Sequence, residues 1–376
     1  MQMSKRFVFG FLAMVLLFSL FSCSKEPEKV TEESIFETLE LETTTEEQMT
    51  TETEEVPVVP TLPENMNPLT GLPCDASIVG QRPIGVMFNN IREALPQVGL
   101  SNCDIIYEVL AEGGITRFEG MIFDYAKLDS LGSIRSARPY YVNLARAYDA
   151  IYVHAGGSEA AYSLMSSVKI DHFDGVRGNF YVGDKLLFWR DKGRLNNGYA
   201  IEHTMFARGS DVASAVQQRG LRNQMKDPAF TAFSFDPAFE SIGNGQTANY
   251  IKVPHSNYYT SEFRYESSTG LYSHSHYNTA HIDGANGEQI KTTNVFLLFV
   301  KQRIADSYGR REVTLTGEGK GMYFNGGEYV EIVWKRASDD APFKYYNLDG
   351  TELKVKQGKS YVSLVDVQTQ ASVTVS

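Results

Sequence analysis

Long apolar runs, cysteine and net positive charge are all scarce in this 376-residue sequence. The apolar run at the N-terminus extends from Phe7 to Phe21 and follows Lys5 and Arg6. It has the length of the apolar core of an export signal and is shorter than the roughly 20 residues that a membrane-spanning helix needs. The sequence therefore predicts a signal peptide over residues 1–22 and a chain that faces outside the cytoplasm.

The three cysteines are Cys23, Cys74 and Cys103. Leu20-Phe21-Ser22-Cys23 resembles a bacterial lipobox, in which cleavage precedes a cysteine that becomes lipidated. We predict lipidation of Cys23 and attachment to the cell membrane through that lipid. The alternative is an ordinary signal peptide with an incidental cysteine. Cys74 and Cys103 then form one disulfide or remain two free thiols.

Net charge is distributed unevenly along the chain. Residues 1–25 contribute +3 and residues 26–64 contribute −12, which leaves −2 of the total −11 for residues 65–376. This near-neutral part offers no bulk charge for binding nucleic acid or an anionic membrane. The Thr- and Glu-rich stretch has too few large apolar residues to form a core, so residues 23–65 are predicted to be an acidic disordered tether.

The remaining length predicts two folded units. In residues 66–222, predicted strands at 82–88, 116–124 and 150–154 alternate with predicted helices at 140–148, 158–165 and 210–219. A further helix is predicted at 101–112, because Ser101 can cap its start and Gly113-Gly114 can end it. Residues 223–376 are mostly strand-like. The predicted fold class is α+β, with an N-terminal α/β layered domain and a C-terminal β-rich domain.

Four motifs of the first half carry a family resemblance: RPIGVMFNN at 82–90, IIYEVLAEGGITRF at 105–118, IRSAR at 134–138 and HAGGS at 154–158. With His255-Ser256-Asn257-Tyr258 in the second half, they resemble the YerB-like lipoproteins of bacteria over nearly everything after the tether. The sequence departs from that pattern at Glu202-His203-Thr204, where relatives often carry Pro-His-Asn. The resemblance implies an exported lipoprotein with two α+β domains and no established enzymatic activity.

Three arginines, Arg117, Arg135 and Arg138, lie close to predicted helix starts. Guanidinium groups bind phosphate and carboxylate bidentately, so these arginines and the adjacent Ser136 predict a site for an anionic ligand. The alternative is that Glu108 and Glu112, one turn apart on the predicted helix, pair with the arginines as structural salt bridges. Mixed roles, with the carboxylates positioning some arginines, are a third interpretation.

His154, Gly156, Gly157 and Ser158 form a second candidate site at the end of a predicted strand. They are interpreted as a tight turn with a helix N-cap, as an anion cradle of backbone amides, or as part of a catalytic site. The motif lacks the lysine of a P-loop, and Ser158 is not in a Gly-x-Ser-x-Gly elbow.

The other histidines give weaker signals. His203 is a candidate for a cleft walled by Phe188-Trp189 and Tyr199. His274, His276 and His281 are interpreted as a solvated strand face rather than a metal site, since Asp283 is the only nearby carboxylate that could add a ligand. No metal or cofactor is therefore expected.

These observations favour a membrane-anchored lipoprotein that binds an anionic envelope ligand, a glycan or a protein partner through the arginines. An envelope enzyme acting on phosphorylated or glycan substrates and a structural scaffold are the alternatives. A non-enzymatic role is favoured, and no nucleic acid partner is expected.

Overall fold

The computed structural model describes residues 60–178 and 180–376; the predicted signal peptide, Cys23 and nearly all of the predicted tether lie outside these residues. The α-helices described are α1 (Pro139–Ala147), α2 (Glu159–Val168), α3 (Lys192–Asn196) and α4 (Gly209–Gln218). The strands are β1 (Ile84–Phe88), β2 (Ile105–Leu110), β3 (Thr116–Ile122), β4 (Leu131–Gly132), β5 (Ile151–His154), β6 (His172–Asp174), β7 (Tyr181–Val182), β8 (Lys185–Leu186), β9 (Phe188–Arg190), β10 (Met205–Ala207), β11 (Gln246–Thr247), β12 (Tyr250–Pro254), β13 (Thr260–Glu266), β14 (Leu271–His276), β15 (Thr279–Ala280), β16 (Lys291–Thr292), β17 (Asn294–Val300), β18 (Gln302–Ile304), β19 (Arg311–Val313), β20 (Gly317–Asn325), β21 (Glu328–Arg336), β22 (Lys344–Asn347), β23 (Ser360–Asp366) and β24 (Thr374–Val375).

An eleven-stranded sheet runs through both halves of the described sequence. Its order is β11-β21-β20-β17-β23-β2-β3-β1-β5-β6, with β22 paired to β21. The halves meet where β2 pairs in parallel with β23, in a register from Ile105↔Ser360 to Val109↔Leu364. The first and second halves of the sequence are therefore hydrogen-bonded to each other in the middle of the sheet.

Hydrophobic cores cover both faces of this sheet. Along β2, Ile105, Tyr107 and Val109 contact a core that also contains side chains of α1 and α2. Ile106, between them, contacts the opposite core, which contains side chains of α4, β9 and β10 and of the six-stranded sheet β15-β14-β13-β12-β24 with β16. Because successive strand residues point to opposite faces, the central strands are buried on both sides.

The predicted helix over residues 101–112 is wrong. Residues Ile105–Leu110 form β2, and all six are buried. A strand covered on both faces has a continuous apolar run instead of the alternation that identifies an exposed strand, so its sequence resembles that of a buried helix. Gly113 and Gly114 follow this strand in a turn with φ of +70° and +73°.

The other local predictions of the first half agree with the structure. α1, α2 and α4 lie at the positions predicted for helices, and β1, β3 and β5 at those predicted for strands. The α+β class with a β-rich C-terminal part is confirmed, whereas the domain boundaries at residues 66, 222 and 223 remain predictions. Cys74 and Cys103 are both free thiols. Among the described helices, none has the length and hydropathy required to span a bilayer.

Candidate functional site

The turn between β5 and α2 is organised by Asp174, at the end of the neighbouring strand β6. Its carboxylate accepts hydrogen bonds from the backbone N–H of Gly156 at 2.8 Å, from that of Val176 at 2.8 Å and from the Tyr162 hydroxyl at 2.7 Å. Gly156 has a φ of +75°, a conformation that favours glycine. Sequence reasoning missed Asp174, because only the parallel pairing of β5 with β6 brings it to this turn.

This arrangement favours the turn-and-cap interpretation of the HAGGS motif. The Ser158 Oγ accepts a hydrogen bond from the N–H of Ala161 at 3.2 Å, as an N-cap does. Gly156 donates to Asp174, and the N–H of Ser158 donates to the carbonyl of Ala137. Of the three amides predicted to cradle an anion, only that of Gly157 has no hydrogen bond within the described chain.

His154 is buried below the turn and is neutral near pH 7. Its Nδ1 lies 2.8 Å from the Gly156 carbonyl oxygen, so this nitrogen carries the proton and donates it. Nε2 then accepts from Nδ1 of His172 at 3.0 Å. Burial lowers the pKa of His154 to about 4. His154, Ser158 and His203 form no hydrogen bond with one another, so the structure does not assemble them into a nucleophile and base.

Two of the three predicted arginines form structural ion pairs. Arg117 Nη2 lies 2.8 Å from Glu112, and Arg138 Nε bonds to the other oxygen of the same carboxylate. Burial raises the pKa of Glu112, but the neighbouring guanidiniums of Arg117 and Arg138 outweigh that effect and hold the pKa below its ordinary value. The structural interpretation of these two arginines is therefore supported.

Glu108 does not pair with the arginines, which corrects the prediction that both Glu108 and Glu112 would do so. The predicted helix would have placed Glu108 and Glu112 on one face. On β2, however, Glu108 shares a face with Ile106, and its carboxylate hydrogen-bonds Thr116, Ser261 and His255 instead. A single carboxylate, Glu112, thus pairs with two of the three arginines.

Arg135 is the one of the three arginines that forms no salt bridge with Glu112. It is half-buried, and it forms no salt bridge or side-chain hydrogen bond with the described residues. Burial lowers the pKa of Arg135 to about 10, and the nearby charge of Arg117 acts in the same direction. The guanidinium is still charged at neutral pH, and the carboxylates of Glu202 and Glu112 offset its desolvation only in part, without forming a salt bridge to it.

Arg135 lines a surface cavity of about 320 Å³, which we call the arginine pocket. Its wall also includes two arginines and a carboxylate that sequence reasoning missed, Arg177, Arg190 and Glu202. The other residues of the wall are Ile134, Ser136, Ala155, Gly156, Gly157, Tyr162 and Val176. Ser136, Gly156 and Gly157 were predicted for the site, and the structure brings them together with Arg135.

The added arginines are held in different ways. Arg177 stacks on the Tyr162 ring, with Cζ 3.6 Å from the ring centroid, and pairs with the exposed Glu159 at 2.7 Å. Arg190 donates to the carbonyl oxygen of Ile201. No nearby sequence motif identifies either residue, because the pocket joins them across loops on both sides of β7 and β8.

A larger cavity of about 580 Å³ lies next to Asp149, and its arginines are already paired. Arg82 and Arg222 both bind Asp149 there, and Arg146 binds Asp340. These ion pairs neutralise the arginines of that cavity, so the smaller arginine pocket is the better candidate site.

Comparison with known proteins identifies the family of this chain. Residues 69–222 match the N-terminal domain, and residues 250–362 the C-terminal domain, described as "Protein of unknown function (DUF3048)". The chain belongs to the DUF3048 family. It is 31% identical over 316 residues to "Putative lipoprotein YerB" of Bacillus subtilis strain 168, a match that covers 82% of this chain and 88% of that protein.

The DUF3048 fold is also known from a solved structure. The crystal structure of YerB from Bacillus subtilis matches this chain with a TM-score of 0.70 at 27% identity, over 83% of this chain and 99% of the other. The resemblance to YerB-like lipoproteins is thus confirmed. The description of the relative as a lipoprotein fits membrane anchoring by lipid.

His203 lies beside the arginine pocket of this DUF3048 chain but does not line it. It is 6% exposed, and its Nδ1 is 2.8 Å from the amide nitrogen of Asn89. The Asn89 amide donates, so Nδ1 is the acceptor. The adjacent Glu202 forms part of the pocket wall instead. His203 therefore helps to position the segment that carries Glu202.

A second polar cluster, which we call the Glu108 cluster, joins the two halves of the DUF3048 fold. The Glu108 carboxylate accepts hydrogen bonds from Thr116 Oγ1 at 2.8 Å and from Ser261 Oγ at 2.8 and 2.9 Å, and it lies 3.1 Å from His255 Nε2. Burial raises the pKa of Glu108, but His255 and these hydrogen bonds outweigh it and hold the pKa far below its ordinary value. All four residues are buried, so the cluster is a structural element.

His274, His276 and His281 are also buried, which corrects the prediction of a solvated strand face. The amide nitrogen of Gln97 donates to the Asn89 carbonyl oxygen, which leaves Gln97 Oε1 as an acceptor for His281 Nε2 at 2.8 Å. His281 Nδ1 must then accept from His274 Nδ1, also at 2.8 Å. Because one nitrogen of His281 donates and the other accepts, this row of hydrogen bonds requires a neutral His281 ring. In the described residues no group of three His, Cys, Asp or Glu has metal-binding geometry.

Proposed function

We propose that this chain is an extracytoplasmic lipoprotein, anchored through Cys23, that binds an anionic ligand in the arginine pocket. Arg135 is the principal cation of that site. Arg177 and Arg190 add positive charge, and Ser136 and the free amide of Gly157 are hydrogen-bond donors in the same wall. Guanidinium, hydroxyl and amide donors together suit the oxygen atoms of a phosphate or carboxylate.

The state of Arg135 is the observation that supports this proposal most directly. A half-buried cation has lost part of its hydration, and within the described chain no carboxylate forms a salt bridge or hydrogen bond with it. An anionic ligand would provide that missing partner. Arg117 and Arg138 would act indirectly, because their shared pairing with Glu112 fixes the segment on which Arg135 lies.

Glu202 sets the strength of the site in this proposal. Its exposed carboxylate lines the pocket and acts on the charges of Arg135 and Arg190 without forming a salt bridge to either. A bound anion would be repelled by this carboxylate. Glu202 thus keeps the pocket partly neutralised and favours ligands with enough charge to overcome it.

Arg135→Ala is expected to weaken the binding of inorganic phosphate roughly 10- to 100-fold, the usual range for losing a hydrogen bond to a charged group. Glu202→Gln is expected to change affinity in the opposite direction, because it removes the repulsion. Isothermal titration calorimetry on the purified chain measures both. Arg264→Ala, which removes an exposed arginine from β13, is the matched control and should retain native affinity. Equal affinity of the native chain and Arg135→Ala would contradict the proposal.

The lipid anchor has its own test. In cells grown with a labelled fatty acid, Cys23→Ser is expected to lose the label, because the lipobox cysteine is the residue that accepts the lipid. Cys74→Ser is the control and should keep the label. Undiminished labelling of Cys23→Ser would exclude lipidation at this position, without bearing on the arginine pocket.

A further inference from the structure

Exposed apolar side chains lie beside the arginine pocket. Val176 lines the pocket and is 58% exposed. Ile201 is 61% exposed, precedes the pocket residue Glu202, and receives a hydrogen bond from Arg190 at its carbonyl oxygen. The cations of the site are thus bordered by apolar surface on two different segments of the chain.

The β7–β8 hairpin carries further exposed apolar side chains. It begins four residues after Arg177 and ends four residues before Arg190, so both of its ends are close in sequence to an arginine of the pocket. Tyr181 and Leu186 are directly opposite each other in its register, on one face, and are 54% and 41% exposed. Of the 14 large hydrophobic side chains exposed in the described residues, five fall between Val176 and Ile201. Exposed apolar side chains are thus concentrated in the part of the sequence that also carries Arg177, Arg190 and Glu202 of the pocket.

We propose that the arginine pocket binds the phosphate headgroup of an anionic membrane lipid, with the surrounding apolar side chains in contact with the lipid's apolar part. This inference rests on the proposed function and names the class of its ligand. Arg135, Arg177 and Arg190 supply the charge complementary to a phosphate. Val176 and Ile201 supply the apolar contacts that a fully soluble anion would not use.

The predicted anchor keeps such lipids within reach. Between Cys23 and Pro60 lie 36 residues, which extend to at most about 130 Å at 3.3–3.6 Å per residue. A domain held this close to a bilayer meets headgroups at a high effective concentration. Because residues 65–376 carry a net charge of only −2, recognition depends on the local pocket and not on a general field. Binding should therefore saturate and should be competed by inorganic phosphate.

Trp189 provides the measurement. The chain has two tryptophans, and Trp334 is 3% exposed in the core, whereas Trp189 immediately precedes Arg190 and is only half-buried. The lipidated chain is reconstituted into vesicles of brominated phosphatidylcholine, either alone or mixed equally with brominated phosphatidylglycerol. Bromine quenches tryptophan fluorescence at short range. Stronger quenching in the anionic vesicles is expected, together with its reversal by inorganic phosphate and its loss in Trp189→Phe.

The arginine variants decide the outcome. Arg135→Ala is expected to abolish the extra quenching in anionic vesicles, and Arg264→Ala to retain it. Equal quenching in both vesicle types, or extra quenching that survives Arg135→Ala, would overturn the lipid proposal. If phosphate still binds in an Arg135-dependent manner in that case, the pocket serves a soluble anion and the proposed function stands. If phosphate binding is absent as well, both proposals fail.

Discussion

Replacing Glu108 with alanine is expected to lower the free energy of unfolding by about 3–5 kcal/mol, because a buried hydrogen-bond network loses its common acceptor. The carboxylate is 0% exposed and is the common acceptor for Thr116, Ser261 and His255. Its removal takes the shared acceptor away from these three buried donors and opens a cavity between the central sheet and the six-stranded sheet. Urea denaturation, monitored by tryptophan fluorescence, measures the change.

Glu331→Ala is the control for this measurement. Glu331 lies exposed on β21 and forms no salt bridge within the described chain, so its removal should change the free energy of unfolding by no more than about 0.5 kcal/mol. A loss below about 1 kcal/mol for Glu108→Ala would show that the cluster contributes little to holding the two halves together.

The Glu108 cluster could not be predicted because strand β2 was expected to be a helix. Ser101 and the apolar spacing of residues 105–110 fit a helix, and the covered strand β2 lacks the alternation that would have identified it. The predicted helix places Glu108 beside the arginines, a position that only a helix permits. Its actual partners His255 and Ser261 are 147 and 153 residues away in sequence, so no local pattern could identify them.

The arginine site was predictable in part. Arg135, Ser136, Gly156 and Gly157 follow strong local signals, namely an apolar strand, a glycine turn and a serine N-cap, and the structure brings them together. Which arginine remains unpaired depends on geometry, since Glu112 has two oxygens and both are used by Arg117 and Arg138. Sequence order contains no information on that choice. The pairing of β5 with β6, which brings Asp174 next to the turn at Gly156, likewise depends on the fold and not on local sequence.

The buried histidines give the second large expected effect, a steep loss of stability in mild acid. Burial lowers the pKa of His274 to about 4 and that of His276 to about 3, and the neighbouring histidines act in the same direction on His276 and His281. The unfolded chain binds these protons near the ordinary pKa of 6.5. Stability is therefore fully present above about pH 6.5 and is lost as the pH falls towards 4, by roughly 1.4 kcal/mol per pH unit for each histidine.

The geometry of the histidine chain explains why protonation is so unfavourable. His274 Nδ1 and His281 Nδ1 are 2.8 Å apart, so a proton on both nitrogens would set two N–H groups against each other. The His276 ring stacks on His281 with centroids 3.9 Å apart, which brings any added charge close to its neighbour. The charge of Glu108 opposes this effect at His274 by raising its pKa, and that of Arg92 reinforces it at His276.

Two buried carboxyl groups work against this acid sensitivity. Burial raises the pKa of Asp104 to about 6 and raises that of Glu119 well above its ordinary value, so their protonation favours the folded state as the pH falls. The histidines outnumber these two carboxyl groups. His154, with its pKa lowered to about 4, adds to His274, His276 and His281. We therefore expect a net loss of stability.

Denaturant titrations between pH 8 and 4 measure this loss, and His276→Phe tests its origin. Phenylalanine keeps a flat ring against His281 but cannot take up a proton, so the decline below about pH 6.5 should become shallower by roughly 1.4 kcal/mol per pH unit. The dependence of the free energy on urea concentration should be the same for both proteins, as a check that they expose the same surface on unfolding. A native chain equally stable at pH 7 and pH 5 would contradict the assignment of neutral, buried histidines. A slope unchanged in His276→Phe would contradict the lowered pKa of His276, because this histidine would then take up its proton at the same pH in the folded and the unfolded chain.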